Sequence, residues 1–182
     1  AVDVFILYPQ GRVSDIQRMQ MTTPTDANVH TLAVDGTFDD CQALVKAMFN
    51  DSEFRQDVNL AGVNSINWAR VMAQTTYYFT AAAQLGSPDT PVGFSVPTGN
   101  FGDIFAGYVA AQMGLPVARL MIATNVNDIL ARVMQAGIYE TEEVIATSSP
   151  SMDIQVSSNF ERLLFELTRR DAPRVSGFMD AL

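Results

Sequence analysis

The chain has one lysine, one histidine and one cysteine in 182 residues. A single cysteine excludes an internal disulfide and fits a reducing compartment. One histidine beside one cysteine is too few for an ordinary transition-metal site, so no metal is expected. No run approaches the ~18 uninterrupted apolar residues of a membrane span, and no basic-then-apolar leader opens the sequence. Positive charge is also scarce, with eleven basic against twenty acidic residues and a net charge of −9. That balance repels nucleic acid and anionic membranes, and no basic cluster offsets it locally. With 48% hydrophobic and 17% charged residues, the composition is that of a soluble, cytoplasmic globular protein. The length suits one domain that buries roughly 70% of its unfolded surface. Because the chain starts at Ala1 and enters an apolar strand pattern by Val4, it is expected to be a fragment of a longer protein.

Apolar runs alternate with helical periodicity. Strands are expected at 4–9 (VFILYP, continuous enough to be covered on both faces), 29–36, 92–96 and 119–124. Residues 143–146 are a weaker strand candidate. Ser14 and Gln17 form a capping box for a helix at 14–20, Thr37 caps the helix of FDDCQALVKAMF, and Ser158 with Glu161 forms a box for a helix reaching Leu167. Ser65–Leu85 is apolar on nearly every side, the pattern of a buried helix, with Asn64 and Ser65 as its caps. Helices are also expected at 101–113 and after the fourth strand. The alternation implies an α/β fold, a doubly wound and mostly parallel sheet with helices on both faces. After Leu167 the pattern dissolves.

The stretch SVPTGNFGD, residues 95–103, carries the chemistry. A strand that turns through Gly99, Asn100, Phe101 and Gly102 into a helix aims backbone N–H groups and a positive dipole end at the crevice beyond the strand ends. The glycines allow close approach, and Asn100 is placed to cap the helix or to donate to an oxygen. Asp103 would repel a phosphate, so its carboxylate is expected to turn away. The pattern is neither Gly-x-Gly-x-x-Gly nor a P-loop, which disfavours dinucleotides and nucleoside triphosphates and leaves a single phosphate ester. On spacing alone, a glycine-bearing turn with no ligand reads equally well. His30 reads as a structural strand residue, and Cys41 as an inward-packing helix residue without a general base.

VPTGNFGDIFAGYVAAQMGLPVARLMIATNVNDIL resembles the threonine synthase family. So do FILYPQGRVSDIQRMQMTT, NVHTLAVDGTFDDCQALVK, NSINWARVMAQTTYYF and SPSMDIQVSSNFERLL, in the family's order. The resemblance implies a tryptophan synthase β-like fold, here incomplete. Residues 1–167 would be the cofactor-binding region of a longer enzyme, and 168–182 a connection to a further segment. It implies pyridoxal phosphate as cofactor, its phosphate held at Gly99, Asn100, Phe101, Gly102 and Asp103. The implied reaction converts O-phospho-L-homoserine and water to L-threonine and phosphate. Arg70, with Asn64 and Asn67, is the candidate group for the substrate's phosphate; a surface or domain-interface salt bridge is the alternative role for Arg70 and simple capping for Asn64. The family's lysine, which forms the Schiff base with the cofactor, belongs to a segment before the first matching block. Lys46 lies mid-helix and does not match it, so the 182 residues alone are expected to be inactive. Two other readings remain open: a dehydratase-type β-elimination enzyme, against which NSINWAR and SPSMDI argue, and a non-catalytic phosphate- or metabolite-binding module.

Overall fold

The computed structural model describes residues 2–180. Ala1, Ala181 and Leu182, at the outer ends of the stretches 1–167 and 168–182, lie outside it. The chain folds as two compact units, Ala1–Ala61 and Gly62–Leu182. In the first unit β1 (Val4–Pro9) and β2 (Val29–Val34) pair in parallel from Val4↔Val29 to Pro9↔Val34, joined by α1 (Asp15–Thr22). Helices α2 (Phe38–Asn50) and α3 (Ser52–Asp57) complete it. The expected capping box of Ser14 with Gln17 forms, and Thr37, expected as a simple cap, makes a full box with Asp40. β1 is not covered on both faces: Phe5 is 61% exposed and stacks on His30 at 4.7 Å. Cys41 is buried, and desolvation raises its thiol pKa with the Asp40 charge adding to it. It is a packed thiol, not a nucleophile.

The second unit contains α4 (Trp68–Gln84), β3 (Val92–Pro97), α5 (Gly102–Gln112), β4 (Val117–Ala123), α6 (Ile129–Ala136), a 3₁₀ turn at Pro150–Met152, α7 (Phe160–Leu167) and α8 (Ala172–Met179). β3 and β4 pair in parallel across the α5 crossover, with a register shift at Val92/Gly93. Among the described residues the strands thus form two two-stranded parallel sheets. α8 lies in the stretch that showed no pattern; Asp171 caps it by accepting from the Arg174 N–H, and a proline stands in its first turn.

The helix buried on most sides is α5, not α4. Ile104, Phe105, Ala106, Gly107 and Ala110 are all in the core. α4 buries one stripe, Val71, Thr75, Tyr78 and Ala82, and leaves Trp68, Met72 and Tyr77 exposed. Its apolar character runs all round, but the described residues cover only the side facing α5 and β3. The cap of α4 is Asn67, whose side chain accepts from the Ala69 N–H, rather than Asn64 or Ser65. Residues 143–146 are not a strand. Asn127 satisfies the Ile145 N–H and carbonyl with its side-chain amide, at 2.8 Å each, in place of a neighbouring strand.

α4 and α5 approach closely because position 107 has no side chain. A Cβ there would lie 2.6 and 2.7 Å from ring atoms of Tyr78 and 3.0 Å from Leu120. The ring is pinned, since its hydroxyl donates to the Asp103 carbonyl at 2.9 Å. Gly107→Ala should therefore destabilise the chain by about 1–3 kcal/mol through overpacking, more than the ~1 kcal/mol that helix propensity returns. Urea unfolding measures the balance; equal or greater stability would show that the ring moves aside freely.

Candidate active site

The turn from β3 into α5 is built on an unusual backbone. Phe101, the residue before the helix, has φ 64° and ψ 0°, in the left-handed region that a bulky side chain rarely adopts. Its ring is 5% exposed and meets Phe160 edge-on at 5.5 Å, while Phe160 stacks on Tyr139 at 5.6 Å. Core packing holds the strained residue in place. Asn100 is accordingly not the cap, and no side chain caps α5. The first helical hydrogen bond runs from the Phe105 N–H to the Phe101 carbonyl at 3.1 Å. The N–H groups of Gly102, Asp103 and Ile104 precede that ladder and face the helix's positive end.

The two loop glycines differ in their reasons. A Cβ on Gly99 would come within 2.9 Å of the buried Ile154, so packing from SPSMDI requires it. At Gly102 the nearest atoms would be Asn159 Nδ2 at 3.5 Å, Ser65 Cβ at 3.7 Å and Gln74 Oε1 at 3.8 Å, ordinary contacts. Neither a positive φ nor a protein neighbour demands that glycine. A bare backbone beside uncapped N–H groups is what an approaching phosphate oxygen needs. The residues present fit a phosphate ester.

The loop is clamped from the far end of the sequence by Ser157, Ser158 and Asn159, of which Ser158 is expected from spacing to be a helix cap. Ser157 Oγ donates to the Gly99 carbonyl at 2.8 Å and Ser158 Oγ to Asn100 Oδ1 at 3.1 Å. Asn159 donates twice to the Asn100 carbonyl, from its backbone N–H at 3.1 Å and from Nδ2 at 3.0 Å. With Ser158 so engaged, the Ser158–Glu161 capping box does not form, and α7 starts without a side-chain cap. The signal missed in the sequence is that a Ser-Ser-Asn run can serve a distant loop as readily as its own helix. SPSMDI has a role too: Asp153 accepts from Asn125 Nδ2 and from Thr147 Oγ, both at 2.7 Å, from the Thr147 N–H at 2.8 Å and from Asn127 Nδ2 at 3.2 Å. This carboxylate gathers two loops and sets Ile154 under Gly99.

Asp103 lies on the α4 side, in a cavity of about 200 Å³ that it lines with Tyr77, Tyr78, Ser95 and Pro97. Its Oδ1 is buried without a hydrogen-bond partner among the described residues. Desolvation raises its pKa, against a smaller lowering by the Tyr78 hydroxyl. Of the other candidates, Asn64 Oδ1 accepts from the Ile66 N–H, and Asn67 caps α4 through Oδ1 while its Nδ2 donates to the Gly62 carbonyl. Arg70 is exposed and forms no ion pair among the described residues, so the salt-bridge alternative is not realised there. Ser65 joins this segment to the clamp, its Oγ 3.4 Å from that of Ser158. Lys46 is exposed on α2 of the first unit. No group of acidic, histidine or cysteine side chains suited to a metal occurs among the described residues, and no helix among them is long and apolar enough to cross a membrane.

A parallel β–α–β crossover with an uncapped helix start at the carboxyl end of its strand is an arrangement suited to an anionic ligand. Residues 2–180 match the family described as "Pyridoxal-phosphate dependent enzyme", and the chain belongs to that family. More particularly, it is similar to threonine synthases. That of Pseudomonas aeruginosa is 58% identical over 180 residues, 99% of this chain and 38% of the relative. That of Saccharomyces cerevisiae is 59% identical, over 92% of this chain and 33% of the relative. Among solved structures, pyridoxal-phosphate-bound threonine synthase from Brucella melitensis superposes with a TM-score of 0.85 at 63% identity, over 99% of this chain and 39% of that one. The Escherichia coli enzyme also gives 0.85, at 44% identity, over 93% and 39%. The chain thus spans well under half the length of these relatives.

Asp103 provides a test of the loop's electrostatics. Its folded pKa lies above the ordinary 3.8, so the unfolded chain releases this proton first, and stability falls as pH rises from the ordinary value through the raised one. Asp103→Asn removes the buried charge and keeps the shape. Denaturant unfolding between about pH 4 and pH 7 should show the variant gaining on the parent chain as pH rises. A constant difference would mean that Asp103 ionises in the folded state without penalty.

Proposed function

We propose that residues 1–167 form the cofactor-binding region of a threonine synthase, with 168–182 leading on to a further segment. The whole enzyme converts O-phospho-L-homoserine and water to L-threonine and phosphate. The observation that carries this reading is the uncapped start of α5 behind Phe101, in a chain of the pyridoxal-phosphate family. Gly99, Asn100, Phe101, Gly102 and Asp103 form the cofactor-phosphate turn, with the N–H groups of Gly102, Asp103 and Ile104 as donors. Bound there, pyridoxal phosphate supplies the electron sink for carbanion chemistry.

The chain's own residues bind and orient. Arg70 is the cation offered to the substrate's leaving phosphate: it is exposed, unpaired among the described residues, and sits in the first turn of α4. Asn64 and Asn67 act on that phosphate through backbone, because their side chains shape the turn that presents α4's N-terminus and Arg70. The cofactor-bearing lysine comes from outside the 182 residues, Lys46 being a surface helix residue. Cytoplasmic amino-acid biosynthesis is the setting, consistent with a single reduced cysteine.

Borohydride reduction of the protein that contains this chain, followed by peptide mapping, should place the pyridoxyl label on a lysine outside residues 1–182. A label on Lys46, or none, would overturn the reading. In the same protein Arg70→Gln should raise KM for O-phospho-L-homoserine roughly tenfold or more, the loss of a charged contact to phosphate. An unchanged KM would remove Arg70 from the site.

A further inference from the structure

Asn159 is 0% exposed and every hydrogen-bonding group of its side chain is engaged. Its Nδ2 donates to the Asn100 carbonyl in the phosphate turn, and its Oδ1 accepts from Arg162 Nε at 2.8 Å. The same guanidinium donates from Nη2 to the Ile66 carbonyl at 2.7 Å, in the segment that leads to Arg70. It also lies over the Trp68 ring, 5.6 Å from its centre. Arg162 is therefore a fork between two segments far apart in sequence, the 64–70 turn and, through Asn159, the 99–103 turn.

Its charge is the second observation. The chain carries a net charge of −9, yet no carboxylate pairs with Arg162 among the described residues. Its partners are one amide oxygen, one backbone carbonyl and an aromatic face, all neutral. A half-buried guanidinium is ordinarily matched by an acid. Here the positive charge stands two hydrogen bonds behind a turn suited to a phosphate, and it polarises the amide that holds that turn.

We propose that Arg162, acting through Asn159, is the positioning residue of the phosphate turn. It fixes the Asn100 carbonyl, and with it the backbone leading into Phe101, in the conformation that presents the α5 N–H groups. It also supplies the positive charge that a bound phosphate dianion balances. The same fork ties the cofactor turn to the segment carrying Arg70, so the two phosphate-binding regions keep a fixed spacing. Arg162 and Asn159 touch neither cofactor nor substrate; they act through Asn100 and Ile66. The inference rests on the reading of 99–103 as a phosphate site.

The test uses the protein that contains this chain, freed of cofactor, with Arg162→Gln, Arg162→Lys and Asn159→Asp beside it. Two readouts are taken: hydrogen exchange at the amides of 99–104 without ligand, and calorimetric binding of 4-deoxypyridoxine 5′-phosphate, which has no aldehyde to react with a lysine. Arg162→Gln should speed exchange in 99–104 while β3 and β4 keep their protection, and weaken the phosphate ester about tenfold. Arg162→Lys, which keeps the charge but not the fork, should recover part of the affinity. Asn159→Asp keeps volume and the Arg162 contact, loses the Nδ2 donor, and should weaken the ester at least as much. Folded Arg162→Gln with unchanged loop exchange and unchanged affinity overturns the proposal. If Arg162→Gln does not fold, Arg162→Lys and Asn159→Asp decide, and parental values for both overturn it. If the parent chain itself binds no ester, the phosphate reading fails, and faster exchange confined to 99–104 still upholds the clamp.

Discussion

One constraint organises the second unit: Phe101 must hold a left-handed backbone at the entrance to α5. A residue with a large side chain adopts φ 64° only when its surroundings compensate a strain of about 1–3 kcal/mol. The compensation is visible in the aromatic contacts to Phe160 and, beyond it, Tyr139. Glycine at this position would relieve the strain but lose the anchor that ties the turn to the core. The turn's N–H groups stay uncapped because no side chain is spent on them, and the clamp of Ser157, Ser158 and Asn159 engages the turn's carbonyls and the Asn100 amide instead. The donors carry no side-chain cap while the acceptors are satisfied by protein.

Under the function proposed above, this division lets a strongly acidic chain accommodate an anion. Binding would not depend on a cluster of surface cations, which the sequence lacks. It would rest on backbone dipoles, on a glycine at 102 that no protein neighbour requires, and on guanidinium groups without carboxylate partners among the described residues, Arg162 behind the turn and Arg70 at the start of α4. Asp103 occupies the same helix turn, but its carboxyl lies in the cavity beside Tyr78 and Ser95.

The local structure was largely legible. β1, β3 and the Ser14 and Thr37 caps fall where apolar runs and capping spacing place them, because those signals are contained within a few residues. The turn 99–103 was equally readable, as a strand-to-helix junction with glycines. What could not be read is what distant residues do for one another. Ser158 resembles a helix cap and serves Asn100 instead. Asn127 replaces a strand at Ile145, and Phe101's left-handed φ has no local signature, since a phenylalanine there argues against it. The burial of α4 was misjudged for a related reason: a helix apolar all round says nothing about which side its neighbours will cover, and the small residues that draw α4 in lie on α5, at Gly107.

A grip of the 99–104 backbone on the phosphate of pyridoxal phosphate, as proposed above, would leave a direct spectroscopic signature. Amide chemical shifts of the chain, followed by NMR during titration with 4-deoxypyridoxine 5′-phosphate and with unphosphorylated 4-deoxypyridoxine, test it most directly. The largest shifts should fall on the amides of Gly102, Asp103 and Ile104, and should vanish without the phosphate. Equal shifts from both compounds, or shifts concentrated away from this turn, would contradict it.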